Sequence, residues 1–213
     1  ISLTRWVEFL RSTRPERYPT PKNSHKPLIT ILLKSGHCDS KALYRSIQCI
    51  ADQSYPNWEL LVSVGSALKL SKLRRLVWSR DSRIKWLGGT RDNLAEKITG
   101  DYVCVVDPAI RFENSALSQH AIAISSHQPD ILYSDEAVIS SNTGRIQNLL
   151  LRPAFSVDYF LATAFTGLGT LIKTSLVVNQ IPGYQEKSAD QLSEALILTS
   201  IPNIKKALHI PDV

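Results

Sequence analysis

The stretch LITILLKSGHCDSKALYRSIQCIADQSYPNWELLVSV, residues 28–64, decides the fold. It opens on Leu28-Ile-Thr-Ile-Leu-Leu33, an apolar run broken only by Thr30, as a strand buried on both faces of a parallel sheet requires. Asp39 or Ser40 is placed to cap a helix whose apolar face is Leu43, Ile47 and Ile50, with Ala42 and Ala51 as small neighbours. Trp58-Glu-Leu-Leu-Val-Ser-Val64 is a second strand, ended by Gly65. Strand, helix and strand in this order form a βαβ unit.

The same alternation continues downstream. The patterns predict a helix over Leu70 to Trp78, a strand over Ile84 to Leu87 followed by Gly88-Gly89, and a helix over Arg91 to Thr99 ended by Gly100. A strand over Tyr102 to Val106 ends in Asp107, a helix spans Ser115 to Ser126, and a strand over Ile131 to Tyr133 runs into Ser134-Asp135-Glu136. Repeated βα units imply an α/β fold with right-handed crossovers and a mostly parallel sheet covered by helices on both faces. Ligands of such sheets bind at the carboxyl ends of the strands. That edge would carry Gly65-Ser66, Gly88-Gly89, Asp107 and Asp135-Glu136. The cluster reads as a ligand site or as ordinary turn chemistry, since Gly and Asp also populate turns.

Residues Ile1 to Lys26 read as a separate appendage. Trp6, Val7, Phe9 and Leu10 make a short apolar stripe, and Pro15, Pro19, Pro21 and Pro27 break any longer helix. Arg5, Arg11, Arg14, Arg17, Lys22 and Lys26 face only Glu8 and Glu16. The stripe packs on the main domain or makes a peripheral contact with an anionic membrane surface. The expected organisation is a basic, proline-containing segment 1–26 followed by one domain, 27–213.

With 213 residues, 43% hydrophobic and 21% charged, the chain is an ordinary globular protein and not a disordered one. Its apolar runs are too short to span a bilayer, and no secretory signal pattern opens it. Cys38, Cys49 and Cys104 are an odd count without CxxC spacing, which argues against a disulfide framework or a zinc site. A reducing, cytoplasmic setting is expected, at the inner face of the membrane if residues 1–26 engage it. A net charge of +6 reads as a solvated basic surface or an anionic partner. Nucleic acid is not expected, because aromatic and basic residues do not interleave as a single-strand groove needs.

At this point the residues resemble the family 2 glycosyltransferases. Pro27-Leu-Ile-Thr-Ile31 is similar to their first strand, and Ser46 to Leu60 to their helix, Tyr-Pro turn and second strand, most specifically over Gln53 to Leu60. Arg91-Asp92 before Gly100-Asp-Tyr-Val103 is similar to the family's Arg-Asn before Gly-Glu/Asp-Tyr, and Asp107 stands at the first position of its Asp-x-Asp. Tyr133-Ser-Asp-Glu136 resembles a branch that builds bacterial surface polysaccharides, Pro182-Gly-Tyr184 resembles the turn before the catalytic acid, and His209-Ile-Pro211 the segment that introduces the closing strand and helix. The resemblance runs from about Pro27 to Val213, and a family member would continue further, so a C-terminal truncation is expected.

The resemblance implies a GT-A fold and inverting transfer of a sugar from a nucleoside-diphosphate donor to a saccharide or lipid-linked acceptor. It implies Mg²⁺ or Mn²⁺ on the diphosphate, because the leaving group gains negative charge, and a carboxylate to deprotonate the attacking hydroxyl. It places Lys34, Gly65, Ser66, Arg91 and Asp107 at the nucleotide, Asp107 also at the metal, and Asp190, Asp135 and Glu136 at the chemistry. Departures bear on that assignment. Ser63-Val64-Gly65-Ser66 stands where the family has Asp-Asp-Gly-Ser, and Asp107-Pro-Ala109 leaves Ala109 at the usual metal ligand. Lys34 takes a neutral position at the site edge, where it neutralises diphosphate as a fixed charge or is merely solvated. Asp190 is a general base or a helix cap, and Asp135-Glu136 lie on the acceptor side or cap the next element. Two functions follow: an active transferase with an altered donor site, or a degenerate domain that binds a partner without turnover.

Overall fold

The computed structural model describes residues 26–36, 38–64, 81–87, 93–140, 142–184 and 186–211. The expectations placed on residues 1–25, on the helix Leu70 to Trp78, and on Gly65, Ser66, Gly88, Gly89 and Arg91 lie outside them.

Nine strands are described: β1 (Ile29–Lys34), β2 (Trp58–Ser63), β3 (Ile84–Leu87), β4 (Tyr102–Val106), β5 (Ile131–Ser134), β6 (Glu136–Ile139), β7 (Ile146–Leu150), β8 (Leu171–Lys173) and β9 (Ala207–Ile210). Seven of them form one sheet in the order β3-β2-β1-β4-β8-β5-β9, while β6 and β7 pair as a separate antiparallel ribbon. Only β8 runs against the others in the large sheet. The fold is thus α/β with a mostly parallel sheet, as the alternating pattern requires.

The described helices are α1 (Ser40–Ala51), α2 (Leu94–Lys97), α3 (Ala116–His127), α4 (Val157–Thr163), α5 (Thr174–Val177), α6 (Ile181–Tyr184) and α7 (Ala189–Ser200). Alternate strand residues enter two cores. Ile29, Ile31, Leu33, Leu60, Val62 and Cys104 pack with Leu43, Ile47 and Ile50 of α1 and Leu117 and Ile124 of α3. Leu32, Leu61, Val103 and Val105 pack on the other face with Leu192, Leu196 and Ile197 of α7. Period-two burial to both sides explains why the strand sequences are continuously apolar.

The Asp39 side chain caps α1, accepting from the Ala42 N–H at 2.6 Å. The helix expected over Arg91 to Thr99 shortens to α2 among the described residues. Asn93 caps it through the Ala95 N–H, and Ile98 turns extended. The Thr99 N–H goes to buried Glu59 Oε1 at 2.7 Å instead of to a helical carbonyl. Glu59 also accepts from Thr30 Oγ1 (2.6 Å) and Lys85 Nζ (2.7 Å), so one carboxylate ties β1, β2, β3 and the approach to β4. Burial alone pushes this carboxyl up, yet the hydrogen bonds from Lys85, Thr30 and Thr99 outweigh it and hold it below the usual range. Gly100 is required beside this network, because a Cβ there would lie 2.6 Å from Thr30 Oγ1 and 2.7 Å from the Leu28 carbonyl.

Candidate active site

Strand order fixes where a ligand can enter. β1 has β2 on one side and β4 on the other, so the chain reverses its direction of sheet growth there. The crevice of an open α/β sheet lies at that reversal, outside the carboxyl ends. Lys34 ends β1, and Asp107 follows β4, whose Val106 is in register with Leu33.

The Asp107 loop is held from behind by α1 and by Gln53 just past its end. Ser46 Oγ donates to the Pro108 carbonyl (2.8 Å), Cys49 Sγ to the Phe112 carbonyl (2.9 Å), and Gln53 Nε2 to the Glu113 carbonyl (2.7 Å). Gln53 Oε1 in turn accepts from the Leu117 N–H at 3.0 Å. Asp107 Oδ1 closes its own turn by accepting from the N–H groups of Ala109 (2.8 Å) and Ile110 (3.2 Å). Asp107 also lies close enough to Cys38, together with Asp39, to push that thiol up, after burial as the main cause. Burial lowers the Lys34 ammonium below its usual value, and nearby Glu186 offsets part of this. The segment entering α7 therefore comes over the end of β1.

Asp135 and Glu136 are engaged differently. Asp135 is 8% exposed, and its Oδ1 accepts from the Arg152 N–H (2.8 Å) and contacts His209 Nε2 (2.8 Å). His209 arrives from β9, in register with Tyr133, and stacks on it at 5.1 Å and 18°. Asp135 thus binds a segment and a strand remote in sequence, and does not cap the element that follows it. Glu136 pairs with Arg152 Nη2 at 3.0 Å. Burial pushes the Glu136 carboxyl up and Arg152 offsets only part of that. Gly167, at φ +75°, covers the pair: a Cβ there would overlap Glu136 Oε1 and lie 2.9 Å from Arg152 Nη2.

Gly167 belongs to the loop 164–170, which reaches the carboxyl edge through a Gly169 N–H bond to the Val105 carbonyl at 3.0 Å. Its other side lines an open cavity with Phe160, Leu168, Ser193 and Ile197, and Asp190 and Glu194 line the same cavity. Asp190 is exposed in the first turn of α7 and is not its cap. The cap is Ser188, which accepts from the Gln191 N–H (3.3 Å) while Gln191 reaches back to the Ser188 N–H (3.3 Å).

Lys34 and Asp107 stand at the carboxyl ends of β1 and β4, Asp190 lines the cavity beside the loop 164–170, and Asp135 and Glu136 follow β5 at the same edge but are engaged by Arg152 and His209. The sequence reading missed three neighbours, Arg152, Gly167 and His209. Only His209 carried a signal, since it lies in the segment that resembles the one introducing the closing strand and helix. A cation fits poorly at Asp107. Ala109 offers no side-chain ligand, and Asp107 Oδ1 already holds two N–H groups. Among the described residues, no group of three His, Cys, Asp or Glu side chains is placed to share a metal ion.

The mostly parallel sheet with one reversed strand, and its reversal at β1/β4, is a fold shared with solved structures. S. aureus TarS, residues 1–349, has a TM-score of 0.65 at 15% identity, over 87% of this chain and 58% of that one. The same protein in complex with UDP-GlcNAc gives 0.64 at 14%, over 87% and 56%. A mannosyltransferase from Pyrobaculum calidifontis, PcManGT, in complex with GDP-Man and Mn²⁺, gives 0.58 at 13%, over 98% and 61%. The chain thus spans less than two thirds of each of these proteins. No family model and no curated protein matches it. Among the described residues, no helix is long and apolar enough to cross a membrane.

Proposed function

We propose that the chain is a glycosyltransferase domain that moves a sugar from a nucleoside-diphosphate donor to an acceptor hydroxyl. The observation that carries this reading is the arrangement of Lys34 and Asp107 at the carboxyl ends of β1 and β4, with Asp190 in the cavity beside the loop 164–170, on a fold shared with glycosyltransferases. The donor diphosphate lies over the β1/β4 crevice, with Lys34 as a fixed positive charge at its edge. Asp190 accepts the proton of the acceptor hydroxyl as that oxygen forms its bond to the anomeric carbon. The bond from that carbon to the diphosphate oxygen breaks, and the electron pair leaves with the diphosphate. Attack from the face opposite the leaving group inverts the anomeric centre. Asp135 and Glu136 serve as positioning residues, holding His209 and Arg152. Acceptance of a surface-polysaccharide precursor, resting on the sequence resemblance, and a peripheral membrane contact through residues 1–26, resting on their basic and apolar composition, belong to the same proposal.

Ala109 and Val64 favour a second reading, a binding domain without turnover, because they stand where acids are expected at the metal and at the nucleobase. A thermal-shift panel of UDP, GDP and their sugars, with and without Mn²⁺, separates the two. A nucleotide at a hundred times its Kd stabilises by about 2.7 kcal/mol, and a flat panel sinks the transferase reading. Where a donor binds, Asp190→Asn is expected to lower turnover by roughly 10²–10⁴ with an unchanged melting temperature. Unchanged turnover removes Asp190 from the base role.

A further inference from the structure

The cavity between α4, the loop 164–170 and α7 has a composition that goes beyond a single base. It is open to solvent. Its walls are Phe160, Leu168 and Ile197. Thr166 and Ser193 line it although they are only 2% and 4% exposed. Among the described residues neither hydroxyl has a hydrogen-bond partner, and neither oxygen is sealed from solvent. Buried hydroxyls are ordinarily satisfied, so whatever fills the cavity, water or a bound ligand, bonds these two.

The charge of the lining selects the ligand. Asp190 and Glu194 stand four residues apart on one face of α7, and no Lys or Arg is among the lining residues. Two carboxylates accept hydrogen bonds from hydroxyl groups and repel phosphate or carboxylate groups. Apolar walls suit the C–H faces of a sugar ring. We propose that this cavity is the acceptor subsite, that it takes a neutral saccharide unit and rejects a phosphate-bearing or acidic one, and that Thr166, Ser193 and Glu194 set this specificity. The proposal rests on the transferase reading for the word acceptor, but the binding chemistry stands without it.

The test is isothermal titration of the full chain with neutral disaccharides and methyl glycosides against matched sugar phosphates and uronic acids. Neutral sugars are expected to bind, and the anionic analogues to bind more weakly by on the order of tenfold. Glu194→Gln, an exposed change, is expected to narrow that gap. Thr166→Val and Ser193→Ala are each expected to weaken the neutral sugar by about fivefold, with binding of UDP or GDP unchanged. Anionic analogues that bind the native chain as well as neutral ones overturn the proposal. So do variants that leave neutral-sugar affinity unmoved, or nucleotide binding without any saccharide binding. Saccharide binding with a flat nucleotide panel sinks the donor reading and leaves this one standing.

Discussion

The loops after β4 and β5 both present acids at the carboxyl edge of the sheet, yet they are built in opposite ways. The β4 loop is held. Ser46 and Cys49 of α1, and Gln53 just past its end, bond the carbonyls of residues 108, 112 and 113, and Asp107 needs only its own turn. The β5 loop holds. Asp135 and Glu136 bond Arg152 and His209, partners 17, 16 and 74 residues away. An acid's place on the binding edge therefore does not make it chemical. What its oxygens already grip decides, and by that measure Asp190, exposed in a cavity, differs from Asp135.

The largest effect that separates the two loops is acid. His120 on α3 stands behind β5 with Nε2 2.9 Å from Ser134 Oγ, and burial lowers its pKa to about 4. The unfolded chain takes up this proton near pH 6.5, whereas the native state does not until about pH 4. Stability is therefore complete above pH 6.5 and lost as pH falls through that window, by on the order of 3 kcal/mol at pH 4. His120→Gln is expected to flatten this slope in melting curves from pH 7 to 4. A slope equal to that of the native chain would leave the β5 side no more acid-sensitive than the β4 side.

The β4 loop is broken by Gln53→Ala, which deserts the Glu113 carbonyl and the buried Leu117 N–H. A loss of roughly 2–3 kcal/mol is expected in urea unfolding, from unsatisfied buried groups. Nucleotide affinity is expected to fall with it, as the wall of the crevice loosens. For the β5 loop, Asp135→Asn keeps one acceptor oxygen and is expected to cost about 1–2 kcal/mol with turnover of the folded protein reduced less than fivefold. Turnover abolished with stability intact would reverse the contrast and make Asp135 a catalytic residue.

Legibility in the sequence follows the same divide. β1, β2 and β4 are apolar to both faces, so their runs are unmistakable, and the Asp39 cap lies beside its helix. Gln53 to Leu60, the most specific match to a glycosyltransferase, turns out to be architecture: Gln53 braces the β4 loop, Tyr55 Oη donates to the Pro27 carbonyl, and Glu59 ties the strands. The helix expected over Arg91 to Thr99 ends at Lys97 because Glu59, 40 residues away, captures the Thr99 N–H. The ribbon β6–β7 alternates weakly and is half-exposed, so no periodicity marks it. Ser188-x-x-Gln191 is a capping box readable from sequence, and it moves Asp190 from cap to first turn. Arg152, Gly167 and His209 meet the β5 acids only through tertiary pairing, which no local pattern encodes.

The smallest expected effect gives the sharpest test of the donor side. Asp107→Asn keeps a side-chain oxygen at Oδ1 for the Ala109 and Ile110 N–H groups, so stability should change by less than about 0.5 kcal/mol. Binding then depends on what neutralises the diphosphate. If Lys34 does so as a fixed charge, removing a nearby carboxylate removes a repulsion, and UDP or GDP binds equally well or up to several-fold tighter without added cation. Lys34→Met then loses on the order of tenfold. If a cation arrives with the diphosphate and leans on Asp107, the same Asp107→Asn change weakens nucleotide binding, and only when Mn²⁺ is present. Titration of both variants with and without Mn²⁺ reads the sign directly, and the sign decides whether Asp107 supports a metal or only its own turn.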